Sequence, residues 1–209
     1  MVKRHKVFIS YYHQDDQKYK EILTNKTFID DDWEQKCIFD DYSVGDGDID
    51  DTYMSDEQIR VKIRDEYIKD ATVLILLVGP NTKKRKHIDW EIHGAMFDTE
   101  KNPKMGILVI NLPGITQWVR ACSPEEKEVV APNASWYSLS TRKEYEDRYP
   151  YMPDRIIDNF LNGAEITVVD WHTIENDCFK LMKLIDNAFE RRKDVEYDHS
   201  RPLRRKNTM

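Results

Sequence analysis

The sequence predicts an α/β protein built on a parallel sheet. Five short β-type runs alternate with helix-patterned segments, the signature of consecutive βαβ units. Two of those runs, 72–78 and 106–111, are apolar nearly throughout, as strands covered on both faces are. The chain has 209 residues, 40% of them hydrophobic, which suits one domain with a substantial core.

Taken in order, the first run is Lys6-Val-Phe-Ile-Ser10 and the second is Cys37-Ile-Phe-Asp40. Ser55 and Gln58 have capping-box spacing, and Ile59, Ile63 and Tyr67 then repeat at helical intervals. The third run, 72–78, ends at the breaker pair Gly79-Pro80, and Asn81 to Ile92 opens a helix directly after it. In that helix Ile88, Ile92, Ala95 and Met96 form the apolar stripe, which leaves Glu91 at the stripe's edge. The fourth run is 106–111 and the fifth 165–170. A last helix carries Cys178, Leu181, Met182, Ile185 and Phe189 toward the core.

Two regions break the alternation. Residues 30–51 are dense in aspartate. Residues 112–164 form a long insertion with scattered prolines and helical patterns at 143–148 and 154–161. The core then comprises 6–111 and 165–192 of a single domain, 1–195, and the polar stretch 196–209 is expected to be a disordered tail.

Charge excludes several functions. Lys and Arg total 32 against 39 Asp and Glu, a net of −7, so no nucleic-acid partner is expected. No segment approaches the ~20 apolar residues of a membrane span, and the basic start leads only into the short run Val7–Ile9. Cys37, Cys122 and Cys178 have neither metal-ligand nor disulfide spacing. These observations point to a cytoplasmic protein without a membrane partner. No G-x-G-x-x-G follows the first strand, against a dinucleotide-binding dehydrogenase, and Ser10-Tyr11-Tyr12 stands where a receiver domain has an acidic pair.

In open α/β sheets ligands sit outside the carboxyl ends of the strands. The candidates there are Glu91 on the helix after the third strand, with Ser10, Tyr11 and Tyr12 just past the first strand and Asp40 at the end of the second. Tyr11 and Tyr12 offer rings for stacking, though anchoring the loop is an equal reading. A turn or cap role is the simpler one for Asp40, and core packing is the simpler one for Trp90. The cations Lys83 to Lys86 are either a solvated face or an attraction for phosphate. Asp46, Asp48, Asp50 and Glu57 fall at positions 1, 3, 5 and 12 of a calcium-loop pattern, but Asp51 replaces its glycine, so no metal site is assigned.

Four segments together resemble the TIR-like domains of the Thoeris anti-phage defence class: Lys6-Val-Phe-Ile-Ser-Tyr-Tyr-His-Gln-Asp15, Ile38-Phe-Asp40, Leu76-Leu-Val-Gly79 through Thr82 to Trp90-Glu-Ile92, and Val168-Val-Asp-Trp171. The resemblance implies a flavodoxin-like parallel sheet of strand order 2-1-3-4-5 with helices on both faces. It implies an enzyme that cleaves the nicotinamide–ribose bond of NAD⁺ as substrate, with no required cofactor. Glu91 would be catalytic, and Ser10, Tyr11, Tyr12, Asp40 and Trp90 would bind substrate. The ADP-ribose left behind would become a signal nucleotide, cyclic in form, that acts on a separate effector protein. A homo-oligomer or a phage-derived activator would switch the enzyme on. The competing expectation is a non-catalytic interaction module that works by self-assembly.

Overall fold

The computed structural model describes residues 4–30, 32–43, 53–99 and 102–208. A five-stranded parallel sheet forms its centre, in the order β4-β1-β5-β6-β7. Its strands are β1 (Lys6–Ser10), β4 (Asp40–Asp41), β5 (Val73–Val78), β6 (Gly106–Asn111) and β7 (Thr167–Asp170). In sequence order this is the expected 2-1-3-4-5 arrangement.

Side-chain alternation along the strands builds two cores, one on each face. Leu74, Leu76 and Val78 face one way, with Ile107, Val109 and Val168 beside them. They meet Ile59 of α2 (Asp56–Lys62), Ile88 and Ile92 of α3 (Lys86–Ala95), and Ile156 and Phe160 of α6 (Asp154–Leu161). Val73, Ile75 and Leu77 face the other way, against Leu23 of α1 (His13–Thr24) and Leu181 to Phe189 of α8 (Cys178–Arg191). Each fully buried aliphatic side chain contributes about 1.5–3 kcal/mol, so this two-sided burial explains why β5 and β6 read as unbroken apolar runs. Gly106 is required where α8 crosses β6, since a Cβ there would lie 1.9 Å from the Ala188 carbonyl oxygen.

The second strand is displaced from its sequence reading. Gln35–Cys37 (β3) pairs antiparallel with Thr27–Ile29 (β2) in a separate hairpin, and only Asp40 and Asp41 join the main sheet. Trp33, in the left-handed conformation at φ 61°, turns the hairpin. Ile38 and Phe39 are buried between the two pairings and anchor the connection to the α1/α8 face.

The capping box at Ser55 forms, with Ser55 accepting from the Gln58 N–H. The insertion holds α4 (Pro124–Val130), α5 (Arg142–Arg148) and α6. Sequence reading had missed α4, although Ser123 and Pro124 are a cap and first-turn pair whose cap accepts from the Glu126 N–H. A four-residue helical turn, α7 (Trp171–Ile174), follows β7.

The expectation of a disordered tail is corrected. Residues 197–208 form a strap across α3 and α6, with Tyr197 and Leu203 buried in the core. Arg155, fully buried on α6, donates to the Arg201 and Pro202 carbonyls, and Trp90 Nε1 donates to the Arg204 carbonyl at 2.8 Å. The basic composition concealed this, because the contacts are made largely by the strap's backbone.

Candidate active site

The carboxyl ends of β1 and β5 and the first turns of α3 converge on one rim. β5 ends at Val78, and Thr82 clamps the turn that follows: its Oγ1 accepts from the Gly79 N–H at 2.8 Å and donates to the Leu77 carbonyl at 3.3 Å. A short 3-10 turn (Thr82–Lys84) then leads into α3. Trp90 and Ile92 are buried, which fixes the rotation of the helix and leaves Glu91 half-buried at the rim.

At that point Ser10, the last residue of β1, donates from Oγ to Glu91 Oε2 at 2.6 Å. Ser10 is 1% exposed, so the hydroxyl is a fixed donor. The sequence-predicted pair, 81 residues apart in the chain, is therefore joined directly. A short hydrogen bond to a carboxylate oxygen holds the orientation of the group.

The other expected residues divide. Tyr12 lies on this rim, half-buried, but its ring already carries the Arg85 guanidinium at 3.8 Å from the ring centroid, and its hydroxyl donates to Gln14. Tyr11 is corrected from a stacking to a packing residue: it is buried with Val7 and Ile9, its ring centroid is 4.1 Å from that of His13, and its hydroxyl donates to Gln17. Alternation explains this, since Tyr11 continues the face of Val7 and Ile9. Trp90 takes the packing role that was its simpler reading and not a substrate-binding one, being 1% exposed and tied to the strap. Asp40 does not reach the rim. It pairs in register with Lys6 and forms an ion pair with Arg4, at the amino end of β1, about 13 Å along the strand from Ser10.

Of the calcium-loop pattern, Asp46, Asp48 and Asp50 lie outside the described residues, while Glu57 sits in the first turn of α2 and pairs with Arg60. Among the described residues no group of three or more His, Cys, Asp or Glu side chains is arranged to hold a metal.

Two further residues shape the rim: Arg85, one of the cationic run 83–86, and Asp16, which the sequence alone did not single out. Arg85, the residue before α3, has no carboxylate partner among the described residues. Lys83 donates to the Pro150 carbonyl and Lys84 to Asn81, so the cationic run is only partly a solvated face. Asp16, in the first turn of α1, is 3% exposed against the β5–α3 turn; a Cβ on Gly79 would lie 2.8 Å from its Oδ1. Burial, then the neighbouring Asp15 charge, pushes its carboxyl up from 3.8 to about 6. The folded state thus holds a proton that the unfolded chain releases near pH 4. The stability this supplies is present below pH 4 and is lost as pH rises to about 6. Asp16→Asn is accordingly expected to stabilise the protein at pH 7.5 by up to ~3 kcal/mol and to change little at pH 4, measured by urea unfolding at both.

A doubly covered parallel sheet ordered 2-1-3-4-5, with a serine-held carboxylate on the helix after its third strand in sequence, defines a TIR-like α/β protein. A family model described as Thoeris protein ThsB, TIR-like domain, matches residues 8–117, more than half of the chain, and the chain belongs to that family. This makes it a TIR-family defence protein. No curated protein and no solved structure matches it. The matched region contains Ser10, Arg85 and Glu91 and ends near the start of the insertion.

Proposed function

We propose that the protein cleaves the nicotinamide–ribose bond of NAD⁺ at the Ser10–Glu91 pair and turns the ADP-ribose moiety into a signal nucleotide, cyclic in form, that activates a separate effector. The observation that supports this most directly is the 2.6 Å hydrogen bond holding Glu91 at the carboxyl rim. Breaking the bond develops positive, oxocarbenium-like charge on the ribose, which a fixed carboxylate stabilises. Nicotinamide leaves as a neutral group, so one carboxylate is sufficient and no general acid is needed. Glu91 supplies the charge, Ser10 fixes its position, and Arg85 on Tyr12 is the cation suited to the substrate's pyrophosphate. The acidic run of residues 30–51 restrains basal turnover by repelling the substrate's phosphates, and assembly or a phage-derived activator switches it on, with cytoplasmic NAD⁺ as the supply.

The hairpin of β2 and β3, with Ile29 56% and Trp33 87% exposed, favours the second reading, a TIR assembly module. The experiment that separates them is product analysis by chromatography and mass detection in cells with and without phage. A nicotinamide and ADP-ribose-type signal from the native protein, lost in Glu91→Gln, is the expected result. Equal nucleotide profiles for the two proteins under infection would sink the enzymatic reading and leave the assembly module.

A further inference from the structure

The insertion encloses a cleft of about 830 Å³ at the β7 edge of the sheet, lined among others by Trp118, Arg120, Lys127, Trp136, Tyr137 and Asp170. Neither Ser10 nor Glu91 lines it. From β1 to β7 is three strand spacings, about 14 Å, so the cleft stands apart from the Glu91 rim. Its position follows from the fold. Arg120 extends the sheet past β7 through a pair of backbone hydrogen bonds with Val168, and the segment 134–140 forms the outer wall.

The chemistry of the lining is unlike the rest of this acidic chain. Arg120 lies 4.8 Å from the Phe160 ring centroid and Lys127 Nζ 5.6 Å from that of Trp136, while Arg148, outside the lining, lies 4.4 Å from that of Trp118. None of these three cations has a carboxylate partner among the described residues. Elsewhere the insertion's arginines are paired, Arg142 with Glu146 and Arg155 with Asp89. The one lining carboxylate among the described residues, Asp170, already accepts from Asn111 Nδ2 at 2.8 Å. Tyr137 is 71% exposed, its ring centroid 6.0 Å from that of Trp118. Arg120 Nη1 donates to the Ile166 carbonyl at 2.6 Å, a neutral partner. Cations set on aromatic faces without a carboxylate partner keep their charge for an anion, while an exposed ring offers a stacking surface. The volume falls within the ~300–1,000 Å³ of small-molecule sites.

We propose that this cleft is a second ligand site that takes a phosphorylated nucleoside, its base stacked on Tyr137 and Trp118 and its phosphate held by Arg120 and Lys127. The inference is independent of any reaction at Glu91. The test is saturation-transfer NMR and calorimetry on the full chain, with AMP and ADP as probes and adenosine and inorganic phosphate as controls. Lys127→Glu and Tyr137→Ala change exposed or half-exposed side chains, and circular dichroism checks that both remain folded. AMP or ADP is expected to bind, more tightly than either control, and each variant is expected to weaken binding about tenfold or more. Glu91→Gln is expected to leave it intact. Three results would overturn the proposal: no nucleotide binding at millimolar concentration, phosphate binding as tightly as AMP, or a loss caused by Glu91→Gln and not by the cleft variants.

Discussion

Replacing Glu91 with glutamine is expected to lower nicotinamide release by on the order of a thousandfold while leaving the fold intact. Glutamine preserves the shape of the side chain and can still accept the Ser10 hydroxyl, so the substitution removes charge and little else. In a partly dry site a fixed charge opposite a developing one is worth several kcal/mol, because no reorganisation is required when the reaction occurs. Ser10→Ala tests the other half of the pair. It removes a neutral donor and leaves the carboxylate, so the expected loss is smaller, about tenfold to a hundredfold. The ordering matters more than either value. Single-turnover rates for both variants, taken on activated protein, should fall in the order native, Ser10→Ala, Glu91→Gln. A Glu91→Gln protein that retains native turnover would remove the carboxylate from the chemistry. Loss in Ser10→Ala equal to that in Glu91→Gln would make the pair a single unit in which the hydroxyl also touches substrate.

Much of this site was legible in the sequence because it rests on the strongest local signals. β1, β5 and β6 are continuous apolar segments whose ends are marked by Ser10, by Gly79-Pro80 and by Asn111. A helix that follows such a strand must place its polar edge at the carboxyl rim, which is where Glu91 lies. Residues whose direction depends on packing were read less well. Tyr11 and Tyr12 are neighbours of the same type, and only alternation through the end of β1 sends the first into the core and the second to the rim. Asp40 was misplaced because the Ile38-Phe39 pair reads as strand. In the fold it is a buried corner between a hairpin and a two-residue strand. The strap was invisible for another reason. Arg201, Arg204 and Arg205 carry the composition of a solvated tail, but Arg201 pairs with Asp158 and Arg205 with Asp56, partners more than 40 residues distant in sequence. Periodicity cannot reveal contacts of that range.

The strap leads to the largest expected effect on stability, that of Asp89→Ala. Asp89 precedes Glu91 by two residues on α3 and is 7% exposed. Both of its carboxylate oxygens accept from Arg155, from Nε at 2.9 Å and from an Nη at 3.0 Å, and one also accepts from the Arg204 N–H at 2.9 Å. Arg155 is fully buried, so removing Asp89 leaves a guanidinium with carbonyl partners alone and no counter-charge. Such a loss costs about 3–5 kcal/mol, far more than an exposed ion pair, because the remaining charge stays desolvated. For a chain of this size that lowers the melting temperature by on the order of 10 °C. Replacing both partners with apolar residues, Asp89→Leu with Arg155→Met, should recover most of the loss, since the penalty lies in the orphaned charge and not in the missing attraction. Urea unfolding of the two single variants and the double variant tests this directly. An Asp89→Ala midpoint equal to that of the native protein would show that the strap does not hold α3. A double variant as unstable as the singles would instead locate the stability in the backbone contacts to Arg201, Pro202 and Arg204. If the ion pair does hold α3, a destabilised Asp89→Ala should also lose Glu91-dependent turnover, because the same turn of helix fixes where Glu91 meets Ser10.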